Sequence, residues 1–252
     1  MTYCTAMRLD EGLVFLSDTR TNAGVDNVST YRKLFVFGPR PGSTIVIQSA
    51  GNLGTTQEVL DRIRRDLDDP EAAESLRSAN HLFEAALYLG RLGVEVAAAH
   101  RPALSASGAD GTSTFILGGQ IDGGRPDIYL VYPEGNYISA SEDRPFLQIG
   151  ETKYGKFMME VATEAGLGLE DATKVALSSM ISTARANLSV GPPYDLGVLT
   201  NGADDVLQFR IEADSPFLSR LEEVWARNLA RALDELPTLE PGDLEVLDDA
   251  AG

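Results

Sequence analysis

The sequence contains one cysteine, two histidines and no long apolar run. The lone Cys4 excludes a disulfide within the chain and predicts a reducing compartment, with the thiol buried in an apolar strand. His81 and His100 have no second histidine or acidic cluster at metal-ligand spacing, so neither a metal nor another cofactor is predicted. Because no apolar run reaches about 18 residues and no basic segment precedes a shorter one, the sequence predicts neither a transmembrane helix nor a signal peptide. We therefore expect a cytoplasmic protein.

Basic residues are also scarce. The chain has 21 Lys and Arg against 38 Asp and Glu, which gives a formal net charge of −17. A surface of this sign disfavours a nucleic-acid backbone or an anionic membrane as a partner. At 252 residues and 43% hydrophobic content, the chain is long enough for one large core. We predict a single domain over residues 1–236, followed by an acidic tail over residues 237–252.

The first eighteen residues predict a β-hairpin that starts without a polar leader. Apolar and β-branched residues begin at Thr2, and a turn at Asp10-Glu11-Gly12 leads into a second apolar run. A three-residue turn would place Thr2 near Arg20, and Cys4 near Asp18. An acid is therefore expected close to Thr2.

The rest of the pattern alternates groups of strands with pairs of helices. Strands over 33–37 and 44–48 precede two helices. The first helix begins just beyond Asn52, with a capping box at Thr55–Glu58. The second helix stops before Pro102. Strands between 113 and 149, two further helices, two strands and a last helix from about Pro216 complete the chain. The predicted inward face of the third helix consists of Tyr154, Phe157, Met158, Val161 and Ala165. The predicted inward face of the fourth helix consists of Leu177, Met180, Ile181, Ala184 and Leu188. This order predicts an α+β fold, with antiparallel sheets packed face to face and helices outside.

Thr2 is the first candidate for chemistry. Removal of Met1 would give this residue a free α-amine beside its own hydroxyl. An α-amine with a pKa of roughly 7.7 to 8.0 can take the hydroxyl proton near neutral pH and so make the threonine a nucleophile. The plainer interpretation is that Thr2 has no catalytic role, because many chains begin Met-Thr. The residues expected near Thr2 therefore have to distinguish between these two interpretations.

Asp18 and Lys33 are the charged residues expected beside Thr2. Asp18 ends an apolar strand, so its carboxylate should be buried and paired. Lys33 can fold back beside it, and its ammonium would lower the pKa of the Thr2 amine. Arg20 and Arg32 are equally good partners for Asp18.

Gly51 lies between a predicted strand and a predicted helix start. A glycine there lets the backbone come close to a substrate and present an N–H group to a developing oxyanion. An ordinary turn glycine is the alternative.

In this order, these residues resemble the proteasome β-subunits and, more closely, their bacterial relatives called Anbu, the ancestral β-subunit. The resemblance covers nearly the whole chain and rests on a combination of segments. These are Thr2 before a strand, Ser17-Asp18-Thr19-Arg20-Thr21 with Ala23-Gly24, Arg32-Lys33-Leu34, and Ser49-Ala50-Gly51. A later segment, Ser189-Val190-Gly191-Pro192-Pro193, points to the Anbu branch rather than to true proteasome subunits.

The resemblance implies an N-terminal-nucleophile hydrolase fold, which is a four-layer αββα sandwich of two antiparallel sheets. It implies that Thr2 is the nucleophile, that Asp18 and Lys33 complete the catalytic group, and that Gly51 supplies the oxyanion N–H. The substrate would be a peptide or another amide. It also implies a homo-oligomer whose dimers stack into ring-like or spiral assemblies.

Two segments depart from the family pattern. Gly150-Glu151-Thr152 replaces a Gly-Ser-Gly segment that supports the nucleophile, and Asn187 and Ser189 stand where proteasome subunits carry an Asp and a Ser. Arg20, Asn187 and Ser189 are supporting candidates, and Glu151 is assigned no role. Because supporting residues tune a nucleophile, three functions stay open: a threonine peptidase, a non-proteolytic amidase or acyl transferase, and an assembly scaffold with little turnover.

Overall fold

The computed structural model describes residues 2–22, 28–163 and 166–240. The strands in these ranges are β1 (Tyr3–Leu9), β2 (Gly12–Asp18), β3 (Arg20–Asn22), β4 (Val28–Thr30), β5 (Leu34–Arg40), β6 (Ser43–Gly51), β7 (Ser113–Gln120), β8 (Asp127–Val131), β9 (Tyr137–Ser139), β10 (Phe146–Gly150), β11 (Tyr194–Thr200) and β12 (Leu207–Ile211). The helices are α1 (Leu53–Asp68), α2 (Leu82–Ala106), α3 (Thr152–Thr163), α4 (Leu169–Ala186) and α5 (Pro216–Asp234).

Two five-stranded antiparallel sheets form the centre of the fold. The first has the strand order β10-β1-β2-β11-β12, and the second has the order β5-β6-β7-β8-β9. Apolar side chains of both sheets, including Phe15, Val46 and Ile116, form the core between them. Helices α3 and α4 cover the first sheet, and α1 and α2 cover the second. The predicted αββα sandwich is confirmed.

The chain forms two compact units, Met1–Ala213 and Asp214–Gly252. The second unit contains α5, which starts at Pro216 as predicted, because a proline in the first turn loses only an N–H group that would be unpaired there. The domain boundary predicted after residue 236 stays a prediction, since residues 241–252 lie outside the described ranges. None of the helices in the described ranges combines the length and the apolar composition that a membrane span requires.

The N-terminal hairpin is present, but its predicted register is wrong by one residue. Gly12 belongs to β2 and pairs with Leu9, so the turn has two residues, and Cys4 lies opposite Ser17 rather than Asp18. Gly12 has φ +149°, and a Cβ atom there would overlap the Leu199 carbonyl oxygen of β11. This glycine is therefore a strand residue that lets β11 approach, and not part of a turn.

Two local predictions around the second sheet need correction. The segment after β2 is not wholly a loop, because β3 and β4 pair as a small hairpin; residues 23–27 of the predicted loop lie outside the described ranges. Helix α1 does start beyond Asn52, but the cap is Asn52 itself, whose side chain accepts a hydrogen bond of 3.1 Å from the Thr55 amide. The prediction placed this cap on Thr55.

Helix α2 continues past Pro102 to Ala106, which contradicts the predicted stop. A proline removes one helical hydrogen bond, here to the carbonyl of Ala98. Because Ala98 is exposed, water can satisfy that carbonyl and the helix tolerates the proline.

The predicted inward faces of α3 and α4 are partly wrong. Phe157 is 66% exposed, whereas Met159 is fully buried. Helix α4 ends at Ala186, so Leu188 lies beyond it and is 84% exposed. The buried side of α3 is marked by a small residue, Gly155, which lies against the first sheet.

Candidate active site

Thr2 lies at the end of the space between the two sheets. Along β1, the Tyr3 hydroxyl contacts the helix layer and Cys4 belongs to the core between the sheets. Thr2 directly precedes β1, and continuing the alternation of side chains along this strand places Thr2 on the same side as Cys4. Thr2 lines a cavity of about 550 Å³ together with Lys33 and with Gly51 of the second sheet.

Lys33 forms part of the cavity wall and makes a buried ion pair with Asp18. Its Nζ atom lies 2.8 Å from Asp18 Oδ1 and donates a hydrogen bond of 2.6 Å to the Arg20 carbonyl oxygen. Asp18 also accepts hydrogen bonds from the backbone amides of Tyr3, at 3.0 Å, and Gly191, at 3.4 Å. The exposed fraction is 0% for Asp18 and 5% for Lys33. The carboxylate is therefore paired and fixed in orientation, as a buried charge has to be.

Of the three cations considered as partners of Asp18, Lys33 is the one in contact. Arg32 Nε lies 3.7 Å from Asp195 Oδ2, and the guanidinium of Arg20 points to backbone carbonyls of another loop. Lys33 reaches Asp18 because it directly precedes β5, the strand that faces β2 across the core.

Burial changes the acidity of two groups near Thr2. It raises the pKa of the Asp18 carboxyl above its ordinary value, while Lys33 and the two amide donors oppose that rise. Burial, with the nearby Asp18, also raises the pKa of the Cys4 thiol well above its ordinary range. Cys4 is therefore protonated at neutral pH, which makes its sulfur a poor nucleophile.

Gly51 brings backbone, rather than a side chain, to the cavity wall. It ends β6 with φ +114°, and a Cβ atom there would lie 2.5 Å from the Thr112 carbonyl oxygen. That carbonyl also accepts a hydrogen bond of 2.9 Å from the amide of Asn52, the cap of α1. The turn from β6 into α1 thus requires a glycine, and an exposed backbone is what an oxyanion site needs.

No protein-family model and no curated protein matches the chain, but solved structures do. Anbu (ancestral beta-subunit) from Yersinia bercovieri is 41% identical, with a TM-score of 0.86, over 95% of this chain and 100% of its own. The helical assembly of the Anbu complex from Pseudomonas aeruginosa gives 40% identity and a TM-score of 0.89, over 96% of this chain and 99% of its own. A Gly-1 mutant of Anbu from Hyphomicrobium sp. strain MC1 is 40% identical, with a TM-score of 0.85, over 95% of this chain and 100% of its own. This chain belongs to the Anbu family.

In this Anbu chain, Arg20 holds the loop that follows α4. Its Nη1 atom donates to the carbonyl oxygens of Leu188, at 2.9 Å, and Val190, at 3.5 Å. The next residue, Gly191, packs so closely on the guanidinium that a Cβ atom would overlap it, and its amide donates to Asp18. Arg20 thus contacts the loop that binds Asp18, and its guanidinium does not pair with Asp18 itself.

Asn187 and Ser189, the other two supporting candidates, contact each other. Asn187 Oδ1 accepts hydrogen bonds from the Ser189 amide, at 3.0 Å, and from its hydroxyl, at 2.6 Å. Neither is among the described residues that line the Thr2 cavity. Their observed contacts shape the loop of the Anbu chain between α4 and β11.

Gly150 and Glu151 lie in the segment that departs from the family pattern, where sequence reasoning assigned neither of them a role. Both line the cavity, and the Glu151 amide donates a hydrogen bond of 2.8 Å to the Thr2 carbonyl oxygen. Gly150 has φ +83°, and a Cβ atom there would overlap that same oxygen. The position of Gly150 between a predicted strand and a predicted helix could have indicated a site residue, because Gly51 was chosen as a candidate for the same reason.

Proposed function

We propose that this Anbu chain is a threonine-type N-terminal-nucleophile hydrolase of peptides or other amides, in which Thr2 is the nucleophile after removal of Met1. One observation carries the proposal: Thr2 and Lys33 line one cavity, and Lys33 is paired with the buried Asp18. Family membership supports the same class of chemistry. We also propose a cytoplasmic location, which is supported by the buried Cys4, a cysteine that forms no disulfide within the described residues.

The proposed reaction has two steps. Thr2 Oγ attacks the carbonyl carbon of the substrate amide while the Thr2 amine accepts the hydroxyl proton, and the Gly51 N–H group stabilises the oxyanion. The amine then gives the proton to the leaving nitrogen as the C–N bond breaks, which leaves an ester on Thr2. Water hydrolyses this ester with the amine again as general base, and Thr2 is regenerated.

Lys33 acts through its charge in this mechanism. A neighbouring ammonium disfavours a second positive charge, so it lowers the pKa of the Thr2 amine and increases the fraction of free base at neutral pH. Asp18 holds Lys33 charged and in place, and the amides of Tyr3 and Gly191 hold Asp18.

Digestion of a peptide library, read by mass spectrometry, tests the proposed activity. We expect cleavage products with the wild-type chain and none with Thr2→Ala, whose melting temperature should match the wild type because the side chain only lines a cavity. Cleavage that persists in Thr2→Ala would reject Thr2 as the nucleophile. Release of small amines without peptide cleavage would favour an amidase, and the absence of any turnover would favour a scaffold.

We also propose that the chain self-assembles, with dimers stacked into a ring-like or spiral homo-oligomer. The relative from Pseudomonas aeruginosa is described as a helical assembly, and 40% identity over nearly the full length supports a similar mode here. Light scattering after size-exclusion chromatography should give a mass several times the 27.1 kDa of one chain. A monomer at every concentration would contradict this proposal.

A further inference from the structure

We propose that Tyr3 is a positioning residue for Thr2, which acts through a chain of hydrogen bonds that anchors the end of β1 in the helix layer. This inference rests on the proposed function of Thr2. It concerns the side chain next to the nucleophile, which points away from the cavity.

The hydrogen-bond chain runs through four groups in one direction. Gln148 Nε2 donates to the Tyr3 hydroxyl, and the Tyr3 hydroxyl lies 2.6 Å from Ser179 Oγ. Ser179 Oγ donates its own proton to the Gly155 carbonyl oxygen at 3.0 Å, so Tyr3 is the donor to Ser179. Burial raises the pKa of Tyr3 to about 12, and the hydroxyl therefore keeps its proton at every pH at which the enzyme would act.

The Tyr3 ring is seated between α3 and α4. Its exposed fraction is 0%, and Gly155 of α3 leaves the space for it, because a Cβ atom at that position would overlap the Tyr3 hydroxyl. Ser179 of α4 contacts the same hydroxyl from the other helix. The phenol ring is thus fixed by packing and by its hydroxyl at the same time.

Thr2 needs such an anchor because it lies outside the regular ladder. Tyr3 is the first residue of β1, and the terminal residues of a strand are the ones that fray. Within the described residues, the Thr2 carbonyl oxygen accepts a hydrogen bond from the Glu151 amide. Glu151 immediately precedes α3, the helix that also contributes Gly155 to the seat of Tyr3. The start of α3 therefore contacts both residues, through the Glu151 amide before the helix at Thr2 and through Gly155 within it at Tyr3.

Tyr3→Phe tests this inference against Tyr88→Phe as the matched control. The Tyr88 hydroxyl is part of the opposite helix layer and donates a hydrogen bond of 2.7 Å to Asp66 Oδ2. Both variants therefore remove the hydroxyl of a buried tyrosine, with the loss of two hydrogen bonds at Tyr3 and of one at Tyr88. We expect Tyr3→Phe to lower the limiting rate of Thr2 labelling by a peptide epoxyketone about 10-fold to 100-fold, with unchanged half-saturation, because a small displacement of a nucleophile has effects of that size. Tyr88→Phe should label at the wild-type rate.

Two more measurements separate positioning from general stability. Ser179→Ala, which removes the acceptor of the Tyr3 proton, should reproduce the labelling defect, and it carries the test if Tyr3→Phe does not fold. Amide hydrogen exchange at Glu151 should be faster in Tyr3→Phe than in Tyr88→Phe. Labelling by Tyr3→Phe and Ser179→Ala within twofold of the control would overturn the inference.

The outcome also distinguishes this inference from the proposed function. A wild-type chain that is never labelled at Thr2 would reject the function. In that case, hydrogen exchange still decides the anchoring: faster exchange at Glu151 in Tyr3→Phe supports it, and equal exchange in the two variants overturns it.

Discussion

Lys33→Met should reduce the rate at which an electrophile labels Thr2 by about 100-fold or more. The substitution keeps an unbranched side chain, one atom shorter, but removes the ammonium that lies 2.8 Å from Asp18. The Thr2 amine then loses the neighbouring positive charge, so its pKa rises and the acid limb of the pH–rate profile should move to higher pH. The loss of an effective general base has effects of this size.

Lys33→Met should also lower the free energy of unfolding by about 3 to 5 kcal/mol, because it leaves the fully buried Asp18 carboxylate without its cation. Arg8→Met is the matched control: Arg8 pairs with Asp127 in a partly exposed ion pair at the far end of β1. The control should lose little stability and keep the labelling rate. A labelling rate in Lys33→Met within threefold of wild type would contradict the role given to Lys33.

Gly150→Ala should displace Thr2 and lower its labelling rate about 100-fold. Two effects add in this variant. An alanine at φ +83° is strained, which destabilises by about 1 to 3 kcal/mol, and its methyl group would overlap the Thr2 carbonyl oxygen. Thr2 must move to relieve the overlap, and misplacement of about 1 Å can reduce a rate 100-fold.

Gly202→Ala separates these two effects. Gly202 has a similar φ of +75°, but no atom lies within 4 Å of the position that a Cβ would take. This control should show the strain as a lower melting temperature and leave the labelling of Thr2 unchanged. Equal labelling rates in Gly150→Ala and Gly202→Ala would show that the backbone at residue 150 does not position Thr2.

The central charged pair could be predicted from the sequence because burial leaves few alternatives. An acid at the end of an apolar strand needs a cation, and the candidates near Asp18 were Lys33, Arg20 and Arg32. Residue spacing alone could not choose among them, since the choice depends on β5 lying across the core from β2; the family resemblance assigned Lys33. The layers of the fold were predictable for a related reason: apolar runs covered on both faces require helices outside the two sheets.

The features that were missed depend on contacts between segments distant in sequence. Gly12 was assigned to a turn, whereas the approach of Leu199 of β11 makes it a strand residue and shifts the register. The predicted inward face of α3 included Phe157 and omitted Gly155, whereas Gly155 is inward because it receives Tyr3. Glu151 holds Thr2 through a backbone amide, and no property of its side chain predicts that contact.

The most direct test of Thr2 as the nucleophile is the intact mass of the wild-type chain after incubation with a peptide epoxyketone, which needs a hydroxyl and a free amine on one residue to form its ring adduct. We predict a chain without Met1 that carries one adduct, and fragmentation should place this adduct on Thr2. A chain that retains Met1, or one that lacks Met1 and takes up no adduct at Thr2, would contradict it.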